Sequence, residues 1–142
     1  MSHIRLFATA TFGVESVVAR ELNHLGFENT FIDNGSVYFD GDFEALCRAN
    51  LWLRCAERVH VLIGEFTAST LDDLFEATKA LPWEEWLPEN AQFPVNGGCA
   101  KSALMSISDC QSIVKKAIVE RLKKVYKLEV FPETGPRYRV DF

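Results

Sequence analysis

The chain has 142 residues, 48% of them apolar and 12% aromatic, which is enough for one ordinary domain or two small ones with packed cores. Its formal net charge of −5 excludes a surface that is basic throughout, so any polyanion site must be a local cluster of cations. No stretch reaches the roughly 18 consecutive apolar residues of a membrane span, and the N-terminus lacks a signal-peptide pattern. We therefore expect a cytoplasmic protein without a membrane partner.

The first 66 residues predict four strands and two helices. Strands are expected at residues 4–10, 30–33, 36–40 and 58–66. Gly26 is predicted to end the first helix, Asp42 to cap the second, and Asn34-Gly35 to form a type I′ hairpin turn. The β-α-β-β-α-β order is that of the α+β ferredoxin-like arrangement, with both helices on one face of the sheet. We interpret this unit as a scaffold, because no catalytic constellation lies within it.

Helical spacing also predicts which side chains of this unit are buried. In the first helix these are Val14, Val17, Val18, Leu22 and Leu25, and in the second helix Phe43, Leu46, Cys47 and Leu51. The four cysteines Cys47, Cys55, Cys99 and Cys110 include no C-x-x-C pair and have no nearby histidines, which argues against a zinc site. We interpret them as buried, reduced thiols.

Beyond residue 66 the composition changes. Thr70 is predicted to cap a short helix, and residues 92–95 form a strand that Pro94 places at a sheet edge. Asn96-Gly97-Gly98 is then expected to be a turn or flexible loop. Between the short helix and the strand at residues 92–95, Trp83 and Trp86 are expected to close a core. Glu84-Glu85 is expected to be a solvated acidic pair.

A long second helix follows. Ser108-Asp109-Cys110-Gln111 matches a capping box, and the apolar stripe after it ends near Lys127. That stripe consists of Ile113, Val114, Ala117, Ile118, Leu122, Val125 and Tyr126. After Pro132, residues 137–142 alternate like a strand, so Arg137 and Arg139 are expected on one face.

Charge divides the chain unequally. Residues 1–98 carry six basic and fifteen acidic side chains, a net charge of −9, whereas residues 99–142 carry nine and five, a net charge of +4. The helix contributes Lys115, Lys116, Arg121, Lys123, Lys124 and Lys127. Such a cluster is typical of nucleic-acid backbone binding, but lysine-rich solvated helix faces are about as common, so the pattern alone leaves both interpretations open.

Two other elements are candidates for phosphate contact. Lys101-Ser102 follows a Gly-Gly pair, and such a loop brings backbone N–H groups and a cation to an anion, although the nucleotide-binding P-loop spacing is absent. Gln111 can donate to an RNA sugar or base, or serve only the helix start. No motif of a known catalytic centre is present, so the chain by itself shows no enzyme.

Many ordered matches carry a family resemblance over essentially the whole chain. In the second part they are Phe93-Pro94-Val95, Ala100-Lys101-Ser102, Ser106 to Asp109, Cys110 to Ile118, Glu133-Thr134-Gly135 and Tyr138. In the first part they are Gly13-Val14-Glu15, Leu25-Gly26, Asn34 to Val37, Asn50 to Arg54 and Leu74-Phe75. These segments resemble the THUMP domain of bacterial RNA methyltransferases and the ferredoxin-like segment before it. The large-subunit ribosomal RNA guanine-N2 methyltransferases, often labelled N6-adenine-specific DNA methylases, are the most similar group.

The resemblance implies a ferredoxin-like domain at residues 1–66 and a THUMP domain at residues 67–142 that is cut short at its C-terminus. Proteins of this family depend on S-adenosylmethionine, which a Rossmann-like catalytic domain binds after the THUMP domain. This chain has no counterpart of that domain's glycine-rich loop or N-P-P-[YFW] motif. We expect no cofactor in this chain and no methyl transfer without that domain.

Our leading hypothesis is capture of structured RNA, with ribosomal RNA as the expected partner. The candidate RNA-binding residues are Lys101, Ser102, Gln111, Lys115, Lys116, Arg137 and Arg139. The alternative is a protein-interaction or dimerisation module without RNA contact, because the acidic first part of the chain would repel RNA and favour a basic partner. The sequence leaves the oligomeric state and the modified nucleotide open.

Overall fold

The computed structural model describes residues 3–142. The chain divides into two compact units, with the boundary between Ile63 and Gly64, three residues before the predicted boundary. The first unit consists of β1 (Ile4–Thr9), α1 (Glu15–His24), β2 (Phe31–Asp33), β3 (Ser36–Gly41), α2 (Phe43–Trp52) and β4 (Arg58–Leu62). This order confirms the predicted ferredoxin-like fold.

The four strands form one antiparallel sheet in the order β2-β3-β1-β4. Side chains alternate along the central strands, so that Leu6, Ala8, Val37 and Phe39 are fully buried and their neighbours are half-buried. Both helices contact this sheet and contribute their own buried residues to the core. The predicted sheet-and-helix packing therefore follows from period-2 alternation in the strands.

Helix α1 ends as the sequence predicts. Gly26 has φ of +84°, a conformation that favours glycine. Its N–H bonds to the Asn23 carbonyl, and the Phe27 N–H bonds to the Leu22 carbonyl. These two bonds and the burial of Leu22 and Phe27 make a Schellman motif with its hydrophobic contact.

The hairpin turn differs from the prediction. Gly35 has φ of +77°, but Asn34 is not among the described residues with positive φ, whereas a type I′ turn requires positive φ at both. Positive φ at the second central residue alone is typical of a type II turn. The carboxylate of Glu15 accepts a hydrogen bond from the Gly35 N–H at 3.1 Å, which holds this turn against the start of α1.

The predicted buried face of α2 is wrong. Asp42 caps the helix as expected, accepting a hydrogen bond from the Ala45 N–H at 2.9 Å. However, the buried residues are Ala45 and Ala49, while Phe43 and Leu51 are exposed. Small side chains face the sheet because the helix backbone approaches closely: a Cβ at Gly41 would clash with the Ala45 methyl group.

The second unit consists of α3 (Leu71–Lys79), a 3₁₀ turn (Trp83–Glu85), β5 (Val95–Asn96), α4 (Ile107–Tyr126) and β6 (Val140–Asp141). Thr70 caps α3 in a complete capping box with Asp73. Helices α3 and α4 pack together, and α4 connects β5 to β6 as the crossover of a parallel pair. No helix within residues 3–142 is both long and apolar enough to cross a bilayer.

The predicted loop at Asn96-Gly97-Gly98 is partly an extension of the parallel pair. Asn96 lies in β5, the Phe142 N–H bonds to its carbonyl, and the Gly98 N–H bonds to the Phe142 carbonyl. A Cβ at Gly97 would collide with Phe142, so glycine is required there for the two chains to approach.

Candidate nucleic-acid interface

The first candidate residues lie in loop 97–105, which connects β5 to α4. Lys101 and Ser102 are both exposed, and Lys101 adopts a left-handed backbone conformation with φ of +48°. The Ser102 hydroxyl accepts a hydrogen bond from the Leu104 N–H at 3.1 Å. The loop thus presents a cation and a hydroxyl to solvent beside a small cavity of about 100 Å³.

Helix α4 begins two residues earlier than the predicted capping box requires. Ser106 is the N-cap, and its hydroxyl accepts a hydrogen bond from the Asp109 N–H at 3.3 Å. The predicted capping box at Ser108 and Gln111 is therefore wrong. Two serines two residues apart made both positions plausible, and the packing of Gln111 against β5 decides between them.

One flank of α4, which we call the strand-facing flank, consists of Gln111 and Lys115. The Gln111 side-chain amide donates to the Val95 carbonyl at 2.6 Å, and the Lys115 ammonium donates to the Phe93 carbonyl at 3.0 Å. The carbonyls of the alternate residues, Gln92, Pro94 and Asn96, instead accept from the β6 segment. Side chains four residues apart on the helix therefore satisfy carbonyls two residues apart along the free edge of β5.

Lys115 has two further partners. Its ammonium lies 3.5 Å from the centroid of the Phe93 ring and 3.4 Å from a Glu133 carboxylate oxygen. A carbonyl, a ring face and a carboxylate together surround this cation. The positive charge of Lys115 is thus largely compensated by groups of the second unit.

The opposite, solvent-facing flank of α4 contains lysines with weaker or no partners. Lys116 lies 5.8 Å from the Phe75 ring of α3, and Lys123 is 3.8 Å from Glu120 in an exposed pair. Within residues 3–142, Lys116, Lys124 and Lys127 form no ion pair, and neither does Lys101 in loop 97–105. These four ammonium groups are free to neutralise phosphates.

Arg121 is bound within the second unit. Its Nε donates to Glu84 Oε2 at 2.9 Å, and its Nη2 donates to Glu84 Oε1, which makes a bidentate pair. The hydrogen bonds from Arg121 lower the pKa of the Glu84 carboxyl below its ordinary value of 4.5. The prediction of a solvated acidic pair is therefore wrong for Glu84, whereas Glu85 is exposed as expected.

Arg137 and Arg139 lie on the parallel pair but away from α4. Val140 pairs in register with the buried Val95, so residues at odd positions of this segment point to the other face. Both arginines are exposed, and Arg139 Nε donates to Asp141 at 2.9 Å. These residues share a face, as the alternation predicts, but it is not the face that α4 covers.

The seven candidate residues therefore fall into four groups instead of a single patch. These groups are loop 97–105 with Lys101 and Ser102, the strand-facing flank with Gln111 and Lys115, the solvent-facing flank with Lys116, and the outer sheet face with Arg137 and Arg139. Lys124 and Lys127 join the solvent-facing flank although they were not among the candidates. The sequence did contain a signal for them: at about 100° per residue, Lys124 and Lys127 point away from the apolar Leu122 and hence towards solvent.

The cysteines only partly follow the expectation of buried thiols. Cys110 is buried and Cys99 is half-buried, but Cys47 and Cys55 are exposed. Cys47 is exposed because it shares the outer face of α2 with Phe43 and Leu51. Within residues 3–142, no group of three Cys, His, Asp or Glu side chains could hold a metal ion.

Comparison with known sequences assigns both units to described families. The profile of the RlmL ferredoxin-like domain matches residues 5–60, and that of the THUMP domain matches residues 68–142. The chain belongs to the THUMP domain family. The resemblance expected from the sequence is thereby confirmed.

Relatives that match most of this chain are methyltransferases by name. "Putative RNA methyltransferase YpsC" of Bacillus subtilis (strain 168) is 51% identical over 143 residues, covering 99% of this chain and 37% of that protein. "Ribosomal RNA large subunit methyltransferase K/L" of Syntrophotalea carbinolica is 35% identical over 121 residues, covering 85% of this chain and 17% of that protein.

A solved structure shows the same fold. The crystal structure of "SMU.472, a putative methyltransferase complexed with SAH" superposes with a TM-score of 0.93 at 40% identity, covering 99% of this chain and 38% of that one. The THUMP-containing chain thus spans less than two-fifths of the length of each of these three proteins.

Proposed function

We propose that this chain is the RNA-capture part of an RNA methyltransferase, in which loop 97–105 and the solvent-facing flank of α4 hold the ribose-phosphate backbone. Membership of the THUMP domain family in proteins named as RNA methyltransferases supports this function. The observation that carries the choice of residues is that Lys101 in the loop and Lys116, Lys124 and Lys127 on the flank form no ion pair within residues 3–142.

Free ammonium groups are the appropriate chemistry for this task. A lysine that already pairs with a carboxylate must lose that pair before it can neutralise a phosphate, whereas an unpaired exposed lysine releases counterions directly. Ser102 adds a hydroxyl donor beside Lys101. Gln111 and Lys115 remain candidates for RNA contact, but binding through them would compete with the Val95 and Phe93 carbonyls.

The finer assignment extends the same proposal. We infer that the parent protein transfers a methyl group from S-adenosylmethionine to guanine N2 of 23S ribosomal RNA in the cytoplasm. The name of the ribosomal RNA large-subunit relative and the SAH in the solved structure support it. The domain limits of residues 1–66 and 67–142 belong to this proposal as well.

The residues described here do not fit S-adenosylmethionine. A cavity of about 330 Å³ lies at the start of α2, and its lining includes Asp42 and Arg48, which already serve the fold. Asp42 caps the helix, and the Arg48 guanidinium donates to the Leu25 carbonyl at 2.6 Å. We therefore assign no step of methyl transfer to this chain and place the cofactor in the part of the relatives that extends beyond the match.

Fluorescence anisotropy with a labelled stem-loop RNA over a range of salt concentrations tests the proposal. If about four phosphates are neutralised, the slope of log K against log salt concentration should lie between about −3 and −4. Lys101→Ala with Lys116→Ala should reduce that slope by about 2, whereas Arg20→Ala at an exposed position of α1 in the first unit, which also removes one positive charge, should leave it unchanged. A slope near zero, or equal effects of all three substitutions, would contradict the proposal.

A second candidate function is protein docking through the first unit. Helix α2 exposes 59% of Phe43 and 78% of Leu51 on its outer face. Large apolar side chains that cluster on a surface mark interaction sites in soluble proteins. Size-exclusion chromatography with light scattering, followed by a pull-down from RNase-treated lysate, separates the two functions: partners that survive RNase and are lost in Leu51→Ser support docking.

A further inference from the structure

Two cysteines meet at the junction between loop 97–105 and α4. The Sγ atoms of Cys99 and Cys110 lie 3.8 Å apart. Cys110 is 2% exposed in the first turns of α4, whereas Cys99 is half-buried in the loop beside Lys101. The sulfur atoms need to approach by only about 1.8 Å to reach the length of a disulfide bond.

We propose that Cys99 and Cys110 are a redox modification site, which closes to a disulfide and ties loop 97–105 to helix α4. The two partners differ in how the backbone around them is held. Cys110 is held by a helix, while Cys99 follows Gly98, whose missing Cβ would touch nothing within 4 Å. The open space around Gly98 leaves the loop room to move towards the helix.

The chemistry assigns different tasks to the two thiols. Burial raises the pKa of the Cys110 thiol, and its contact with Cys99 raises that pKa further, so Cys110 stays protonated at neutral pH. The more accessible Cys99 is then the thiol that reacts first with a peroxide. This order distinguishes a peroxide-reactive residue from the resolving residue.

The steps balance with hydrogen peroxide as the oxidant. The Cys99 thiolate attacks one peroxide oxygen, the O–O bond breaks, and the leaving hydroxide takes a proton to become water, which gives a sulfenic acid. The Cys110 sulfur then attacks the Cys99 sulfur, the S–O bond breaks, and the hydroxide leaves as water with the Cys110 proton. Two thiols and one peroxide become one disulfide and two waters, and an added dithiol reverses the change.

The disulfide would act on the site of the proposed function, and this second part of the inference rests on that function. Lys101 and Ser102 lie two and three residues from Cys99. Pulling Cys99 towards α4 shifts the backbone of Lys101, which already has φ of +48°, and fixes the loop in an altered shape. We expect oxidised protein to bind stem-loop RNA at least about threefold more weakly than reduced protein, a difference of about 0.65 kcal/mol.

Peptide mapping tests the disulfide without any reference to RNA. Trypsin cleaves after Lys101, so the two cysteines leave in separate peptides unless a disulfide joins them. The protein should carry Cys47→Ser and Cys55→Ser, which remove the exposed thiols of the first unit. Treatment of the folded protein with hydrogen peroxide should produce the joined peptide pair, and dithiothreitol should separate it again.

Several outcomes would overturn the inference. Free thiols after peroxide, a sulfinic acid at Cys99 without the joined peptides, or a disulfide that forms only in urea-unfolded protein would each contradict a folded-state pair. Cys99→Ser is the matched control, because it changes the half-buried partner and leaves the helix intact. Anisotropy of oxidised and reduced protein then tests the coupling: unchanged or tighter RNA binding overturns the regulatory part, whereas the absence of RNA binding in both states contradicts the proposed function instead.

Discussion

The two flanks of helix α4 carry the same kind of side chain and are used in opposite ways. On the strand-facing flank, Lys115 donates to a carbonyl, covers an aromatic ring and pairs with Glu133. On the solvent-facing flank, the next residue, Lys116, has no ion pair among the described residues. A cluster of lysines in a sequence is therefore a cluster of free charges only where no acceptor lies beside the helix.

Helix geometry and the free edge of β5 explain this difference. Successive side chains on a helix are about 100° apart, so Lys115 and Lys116 leave the same turn in different directions. Lys115 follows Gln111 by four residues and lies beside it on the helix surface. Only the row of Gln111 and Lys115 faces the carbonyls of Phe93 and Val95, which are not used in pairing with β6.

The largest expected effect is loss of stability on the strand-facing flank. Gln111→Ala combined with Lys115→Ala leaves two edge carbonyls without their donors and should lower the free energy of unfolding by about 2–3 kcal/mol. Lys116→Ala combined with Lys124→Ala, the matched pair on the other flank, should stay within about 0.5 kcal/mol of the parent. Urea unfolding midpoints measure both, and equal losses would remove the distinction between the flanks.

The next effect concerns the pair between Arg121, whose side chain extends from α4 towards the 3₁₀ turn, and Glu84. Because the folded-state pKa of Glu84 lies below 4.5, the pair stabilises the protein fully above that value, and the contribution is lost as the pH falls through the lower folded-state pKa. Glu84→Gln should cost about 1–2 kcal/mol at neutral pH. Unfolding measured from about pH 7 to about pH 3 should show this gap closing in acid, and a gap that stays constant would refute the assignment.

For RNA affinity, the larger effect is expected on the solvent-facing flank, whereas stability depends more on the strand-facing flank. Lys116→Ala is expected to reduce the salt slope by about 1 and the affinity severalfold, because it removes one free phosphate contact. Lys115→Ala should change the slope by less, since its charge is already surrounded. Anisotropy titrations of the two single variants at matched protein stability make this comparison, and a larger effect at Lys115 would reassign the interface to the strand-facing flank.

The smallest effect is expected from Glu120, which pairs with Lys123 on the exposed helix surface at 3.8 Å. Glu120→Gln releases that lysine at a cost of about 0.5 kcal/mol or less in stability. Affinity for stem-loop RNA should rise by up to about threefold at low salt and return to the parent value at high salt. Unchanged affinity at low salt would place the RNA away from this part of the helix.

Local signals in the sequence determined much of the fold. Gly26, Asp42 and Thr70 lie at helix ends where the chain itself supplies the partner within a few residues, so their roles could be predicted and are confirmed. Short β-rich runs and the Asn34-Gly35 turn likewise predicted the strands of the first unit and hence the order of its elements. The same local reasoning chose the wrong N-cap for α4, Ser108 instead of Ser106, because two serines that can cap a helix lie within one turn.

Tertiary packing alone decided which polar side chains are free. Nothing in the sequence near Lys115 indicates the Phe93 carbonyl, 22 residues away, and nothing near Arg121 indicates Glu84, 37 residues away. Likewise, the exposed apolar face of α2 became visible only because Ala45 and Ala49 take the positions against the sheet. Helix and strand periodicity fix where a side chain points on its own element, but the acceptors that hold it come from whichever distant segment packs there.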